Sequence, residues 1–279
     1  MRIVGYRKVI AMGMLATTLL LTACSTTSNS DPTWSPDGAR IAFNHHSEIW
    51  VMDANGGNQR KLFDNANNPS WSPDGTRIAF VSERSGNPDI WLMNTDGSSE
   101  GNLTNSTSSD YDPAWSPDGT KIAFVSLSSG NPDIWVMNAD GSNQKNLTNS
   151  TAEDFYPTWS PDGTRIAFQS GPSGNGDIWV MDTDGGNQQN LTNRAVWDGN
   201  PDWSPDGTKI IFASEGKGDI WVMDADGSNQ RNLISNIVGA VALAWSPDGT
   251  KIAFVSEKGY NTNIWVMNTD GTGQKQLTK

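Results

Sequence analysis

The chain has 279 residues, a net charge of −12, two histidines and a single cysteine. That length allows one large all-β domain. The lone cysteine excludes an intramolecular disulfide, and the acidic balance disfavours nucleic acid and anionic lipid headgroups while favouring basic partners.

At the N-terminus Arg2, Arg7 and Lys8 precede the apolar run 9–21, which is too short to span a bilayer comfortably and is shaped as a signal peptide. The run ends in Leu21-Thr22-Ala23-Cys24, which resembles the bacterial lipobox, where the cysteine is lipidated and becomes the new N-terminus. The expected organisation is a leader over 1–23, a lipidated tether over 24–30 starting at Cys24, and one domain over 31–279. Ordinary secretory cleavage near Ala23 is the alternative. Ser25 fits outer-membrane sorting in a Gram-negative cell, so the expected location is the cell envelope, on the periplasmic face of the outer membrane.

From residue 31 onward the chain repeats itself. WSPDG occurs six times, with its tryptophan at Trp34, Trp71, Trp115, Trp159, Trp203 and Trp245, at intervals of 37 to 44 residues. A period near 40 marks a repeat architecture, and several short strands per unit point to a β-propeller. In the third unit the predicted strands are 112–116, 121–126, 133–138 and 144–149. The middle two, KIAFVS and DIWVMN, are continuous apolar runs, as sheets buried on both faces require. In DIWVM, Ile134 and Val136 should face one neighbouring blade, Trp135 and Met137 the other. Ser-Pro-Asp-Gly between the first two strands and Asp-Gly (Asn55-Gly56 in the first unit) between the last two are turn formers. Six near-identical copies of an acid and a serine are scaffold rather than active site.

The unit P-x-WSPDG-x-(K/R)-IAF … DIWVM … DG … LT resembles the repeat of the TolB six-bladed propeller, which is related to the WD-repeat propellers. The resemblance covers 31–279 and implies an all-β fold of six four-stranded antiparallel blades and a non-catalytic, protein-binding role in the periplasm. TolB carries an additional N-terminal α/β domain, in whose place this sequence has the lipobox-like leader. The same repeat also occurs in propellers of prolyl-oligopeptidase-type enzymes.

Catalytic chemistry finds little footing. The sequence has no HExxH or phosphate-binding loop, and no cofactor or metal site is expected. His45 and His46 are expected in a solvent-exposed loop. The oxygen-rich run 224–229 reads as a hairpin, because an EF-hand loop would need glycine sixth and an acid twelfth, where Asn229 and Ser235 stand. A peptidase or glycan-lyase propeller and a cation-binding propeller remain the alternative readings.

Internal alignment locates the variable loops. Turns between first and second and between third and fourth strands are constant and share one face. The second-to-third loops and the blade-to-blade crossings vary and share the other, so binding is expected there. Three crossings interleave acids with aromatics, giving a candidate surface of Asp110, Tyr111, Asp112, Glu153, Asp154, Phe155, Tyr156, Trp197 and Asp198 for a basic or extended protein or peptide. Trp197 reads equally as a loop anchor. Asp31, Asn68, Asp112, Tyr156, Asn200 and Ala242 should ring a channel mouth. The chain is expected to be monomeric, with no strand exchanged between its ends to close the ring.

Overall fold

A computed structural model describes residues 28–171, 175–214, 219–235, 237, 239–258 and 261–279. The leader, Cys24 and most of the tether lie outside the described residues. The described residues form six four-stranded antiparallel sheets, each built from strands consecutive in sequence, which is the expected six-bladed propeller. In blade 3 the strands run Asp110–Trp115, Lys121–Ser126, Asp133–Asn138 and Lys145–Asn146. The inner strand therefore starts two residues earlier than its apolar pattern suggests, and the outer one is shorter.

Blades stack through their middle strands. Ile134 and Val136 of blade 3 pack with Trp159, Ile166, Phe168 and Met181 of blade 4. Met137 and Trp135 pack with Ala79, Val81 and Ile90 of blade 2. The period-2 alternation of DIWVM thus serves two seams at once, and the phenylalanine of every IAF or IIF segment is fully buried.

The WSPDG turns couple the blades as well as reversing the chain. In blade 3, Ser116 Oγ donates to Asp118 Oδ1 at 2.6 Å, and Asp118 Oδ1 accepts the Thr120 N–H at 3.0 Å. Gly119 has φ +70°, and a Cβ there would lie 3.2 Å from Cγ of Pro73 in blade 2. Glycine is thus required both for the left-handed backbone and for the neighbour's proline. The basic residue that follows reaches the next blade: the guanidiniums of Arg40, Arg77 and Arg165 lie 5.1, 5.0 and 4.9 Å from the ring centres of Trp71, Trp115 and Trp203.

Each DIWVM aspartate fastens its outer strand. Asp133, fully buried, accepts from Asn146 Nδ2 at 2.8 Å, Thr148 Oγ1 at 3.2 Å and the Ser150 N–H at 3.2 Å, as well as from Ser129 Oγ. The recurring N-L-T-N ending is therefore a set of donors matched to that carboxylate.

Among the described residues the ring closes without an exchanged strand. Blades 6 and 1 share one core cluster, and Trp34 Nε1 donates to Ala244 O at 3.2 Å. The chain adds a small latch: Ser28 forms a single bridge to Thr262, and the Asn29 N–H donates to Thr262 Oγ1 at 3.1 Å.

Candidate functional site

The inner strands surround a channel. In each one the register to the second strand skips once, at Ser30/Thr33, Asn67/Ser70, Tyr111/Ala114, Phe155/Thr158, Gly199/Asp202 and Val241/Ala244. These β-bulges contain Asp31, Asn68, Asp112, Tyr156, Asn200 and Ala242, whose φ angles are +48°, +50°, +50°, +54°, +52° and +51°. All six are non-glycine residues in the left-handed region, and five precede proline, where extended backbone is preferred. The same strained conformation recurs in every blade and places all six residues on the wall of one cavity of about 310 Å³. This is the ring expected from the sequence.

The ring is acidic and internally connected. Asp31 Oδ2 accepts from Asn44 Nδ2 at 2.6 Å, and Asp112 Oδ1 accepts from Asn68 Nδ2 at 3.1 Å. Burial raises the Asp31 pKa above the usual carboxylate value, partly offset by the hydrogen bond from Ser30. Burial, with the charges of Asp112 and Asp31, pushes the Tyr156 hydroxyl well above the usual phenol value, so it remains a neutral donor. Deeper in the bore, Asp202 accepts the Trp245 N–H at 2.7 Å and Thr158 Oγ1 at 3.2 Å, and burial pushes its pKa up to about 7. None of the residues lining the cavity is basic.

The nine residues of the predicted surface separate into distinct environments. Asp112 and Tyr156 stand in the ring, Tyr111 is half-buried against the cores on both sides of blade 3, and Glu153 is half-buried at the start of its strand. Asp110, Asp154, Asp198 and Phe155 are buried and do not form a solvent-facing surface. The reason is local. The first aspartate of each of these crossings donates its N–H to the loop of the preceding blade, Asp110 to Pro88 O, Asp154 to Pro132 O and Asp198 to Gly176 O, at 2.8 to 2.9 Å. That bond fixes the strand start against the seam, and its side chain follows. Trp197 is half-buried against the core shared by blades 5 and 6, and its ring leaves no room for a side chain at Gly199. Trp197 packs as a loop anchor does.

Asp202 was not singled out by the sequence, although a signal existed: the residue between the crossing proline and the tryptophan is Thr33, Ser70, Ala114 and Thr158 in earlier copies, and only here an acid. His46 is exposed, whereas His45 is half-buried, 2.8 Å from Asn29 Oδ1 through Nδ1 and edge-on to Trp50. The run 224–229 is a hairpin, with the Gly227 N–H donating to Asp224 O at 2.9 Å. Among the described residues no group of three or more His, Cys, Asp or Glu is placed to hold a metal ion.

Known proteins share this architecture. No curated protein matches the chain significantly. Among solved structures, a TolB from Agrobacterium tumefaciens is 27% identical, with a TM-score of 0.70 over 80% of this chain and 87% of that one. TolB from Acinetobacter baumannii is 22% identical, with a TM-score of 0.74 over 91% of this chain, which spans 64% of that longer one. An oligogalacturonate lyase in complex with manganese shares the fold at 15% identity, with a TM-score of 0.64 over 93% of this chain and 83% of that one. The sequence profile of the TolB beta propeller domain matches residues 7–112, 102–233 and 193–279, and the chain belongs to that family.

Proposed function

We propose that this protein is a non-catalytic scaffold of the bacterial cell envelope, tethered through lipid on Cys24, whose channel mouth and surrounding crossings bind a basic or extended segment of another protein. The observation that carries the reading is the six-fold bulge. A left-handed backbone at non-glycine residues costs of order 1–3 kcal/mol each, and such strain clusters where side chains are aimed at a ligand. Here it presents two carboxylates, two amides and a phenol around an acidic bore without a basic residue in its wall. Membership of the TolB family supports a protein partner, while the lyase likeness supports the fold alone.

Of the predicted surface, Tyr111, Asp112, Glu153 and Tyr156 are proposed to touch the partner, with Asp31, Asn68 and Asn200 added. Asp110, Asp154, Phe155, Trp197 and Asp198 would hold the crossings in place. The test is affinity chromatography of envelope extract on the lipid-free domain, followed by titration of the recovered partner against variants. Asp31→Asn with Asp112→Asn should weaken it at least tenfold and flatten its salt dependence, while Asp140→Asn on the opposite face should leave it unchanged. Equal binding by both variants would remove the channel mouth as the site. Lipidation is tested by intact mass, which should differ by the acyl groups between wild type and Cys24→Ser.

A further inference from the structure

Three equivalent seams carry the same buried carboxylate, but only one carries a counter-charge. Asp110 and Asp198 open their inner strands and Asp154 is second in its own, each opposite a serine of the second strand: Ser126, Ser170 and Ser214. At the 4/5 seam the residue four positions earlier is Arg194. Its Nε donates to Asp198 Oδ2 at 2.9 Å, its Nη2 donates to Asp198 Oδ1, and Nη2 also reaches Ser214 Oγ at 3.0 Å. The guanidinium lies 4.2 Å from the Trp221 ring centre. At the 2/3 and 3/4 seams that residue is Ser106 and Ser150, in the same backbone position: the N–H groups of Ser106, Ser150 and Arg194 donate to Asp89, Asp133 and Asp177 in turn.

The consequence is a cationic place with no cation. Asp110 and Asp154 are each 1% exposed, and Oδ1 of each has no hydrogen-bond partner. The other titratable group facing Asp110 is Asp89 on the third strand of blade 2; facing Asp154 it is Asp133 of blade 3. Neither acid can relieve its neighbour, because Asp89 and Asp133 already accept from hydroxyl, amide and backbone donors. Ser150 Oγ donates to Asp154 Oδ2 at 3.3 Å, but a buried carboxylate with one oxygen unpartnered beside a second acid is still unfavourable when charged.

We propose that the 2/3 and 3/4 seams are proton-uptake sites, at which Asp110 and Asp154 each take one proton on mild acidification, doing there what Arg194 does permanently at the 4/5 seam. Geometry and titration agree: burial, with the adjacent acid adding to it, pushes both groups up to about 6, against the hydrogen bonds of Ser126 and Thr104 or Ser170 and Thr148. Because the native value lies above the unfolded value, the stabilisation is complete below about pH 4 and is lost as the pH rises through about 6. Two residues further along these strands lie Asp112 and Tyr156, so uptake would firm the part of the ring they form. A hard metal cation is the competing occupant, disfavoured because the adjacent acids have their oxygens engaged.

The test begins with the wild-type chain and carboxyl carbon NMR of labelled aspartate, assigned with Asp110→Asn and Asp154→Asn. Two carboxyls titrating with midpoints near 6 support the proposal; midpoints below 4.5 overturn it. Thermal unfolding at pH 5.5 and 7.5 then compares variants. Ser106→Arg with Ser150→Arg should abolish the part of the acid stabilisation that these two groups give, and Asp110→Asn with Asp154→Asn should abolish the same part by isosteric neutrality. Arg194→Ser should create a third such group at Asp198. Unchanged pH dependence in the double asparagine variant overturns the proposal. So does a wild-type melting temperature at pH 7.5 that calcium or sodium raises and the asparagine pair no longer shows, since that assigns the seams to a metal. None of these readouts uses the partner, so the outcome stands apart from that of the proposed binding role.

Discussion

Ala242 has no side-chain hydrogen bond to justify its φ of +51°, yet it holds the same bulge conformation as the aspartates and asparagines of the other blades. The conformation is imposed by the strand pairing around it. Ala242→Gly should therefore stabilise the domain by about 0.5–1 kcal/mol, read from the urea midpoint at constant slope. The opposite change at Gly119 should be harmful. Gly119→Ala meets both a left-handed φ and the Pro73 ring, and should cost about 1–2 kcal/mol in the same measurement. Both residues belong to turns or bulges repeated six times, but the sequence marks only the glycine. Asp112 shows why the site was harder to infer than the fold. A regular strand would send Asp110 and Asp112 to the same side. The bulge at Asp112 breaks that alternation, so one acid faces the seam and the other the bore.

At the scale of strands and seams, inference from sequence succeeded where six copies repeat one pattern. The SPDG turn could be read from six identical examples, and the two faces of DIWVM and the Asp-Gly hairpin from six near copies of each. What differs between copies is legible as difference but not as direction: the sequence does not show that the Trp197 ring lies over Gly199. The seams themselves are unequal. Arginine stacks on the next blade's tryptophan at three of them, whereas blade 3 offers Lys121 at the equivalent place. Lys121→Arg should add a similar contact with Trp159 and raise stability by about 0.5 kcal/mol, measured by urea unfolding against wild type.

Across the whole molecule, two sets of aspartates oppose each other in their response to pH. The SPDG acids accept hydrogen bonds first from serine and then from backbone N–H groups, which lower their pKa values, that of Asp74 to about 2. Their contribution is present above about pH 4 and lost as the pH falls toward 2. Asp202 acts in the other sense. Its native value near 7 lies above that of an unfolded aspartate, so its stabilisation is complete below about pH 4 and is lost as the pH rises through 7. Asp202→Asn should accordingly make the melting temperature fall less between pH 6 and pH 8 than it does in wild type.

The six-fold plan has one further consequence, at the joint between blades 6 and 1. Every blade takes its four strands from one continuous segment, and blades 6 and 1 meet through packed side chains and a short latch at Thr262. This joint is the same kind of contact as the other five. A circular permutant cut between any two blades would keep every sheet intact, whereas in a ring closed by an exchanged strand such a cut leaves one sheet dependent on both new ends. For the same reason, tandem duplication of one repeat in the gene delivers a finished blade, so propellers of this construction can grow or shrink by whole units.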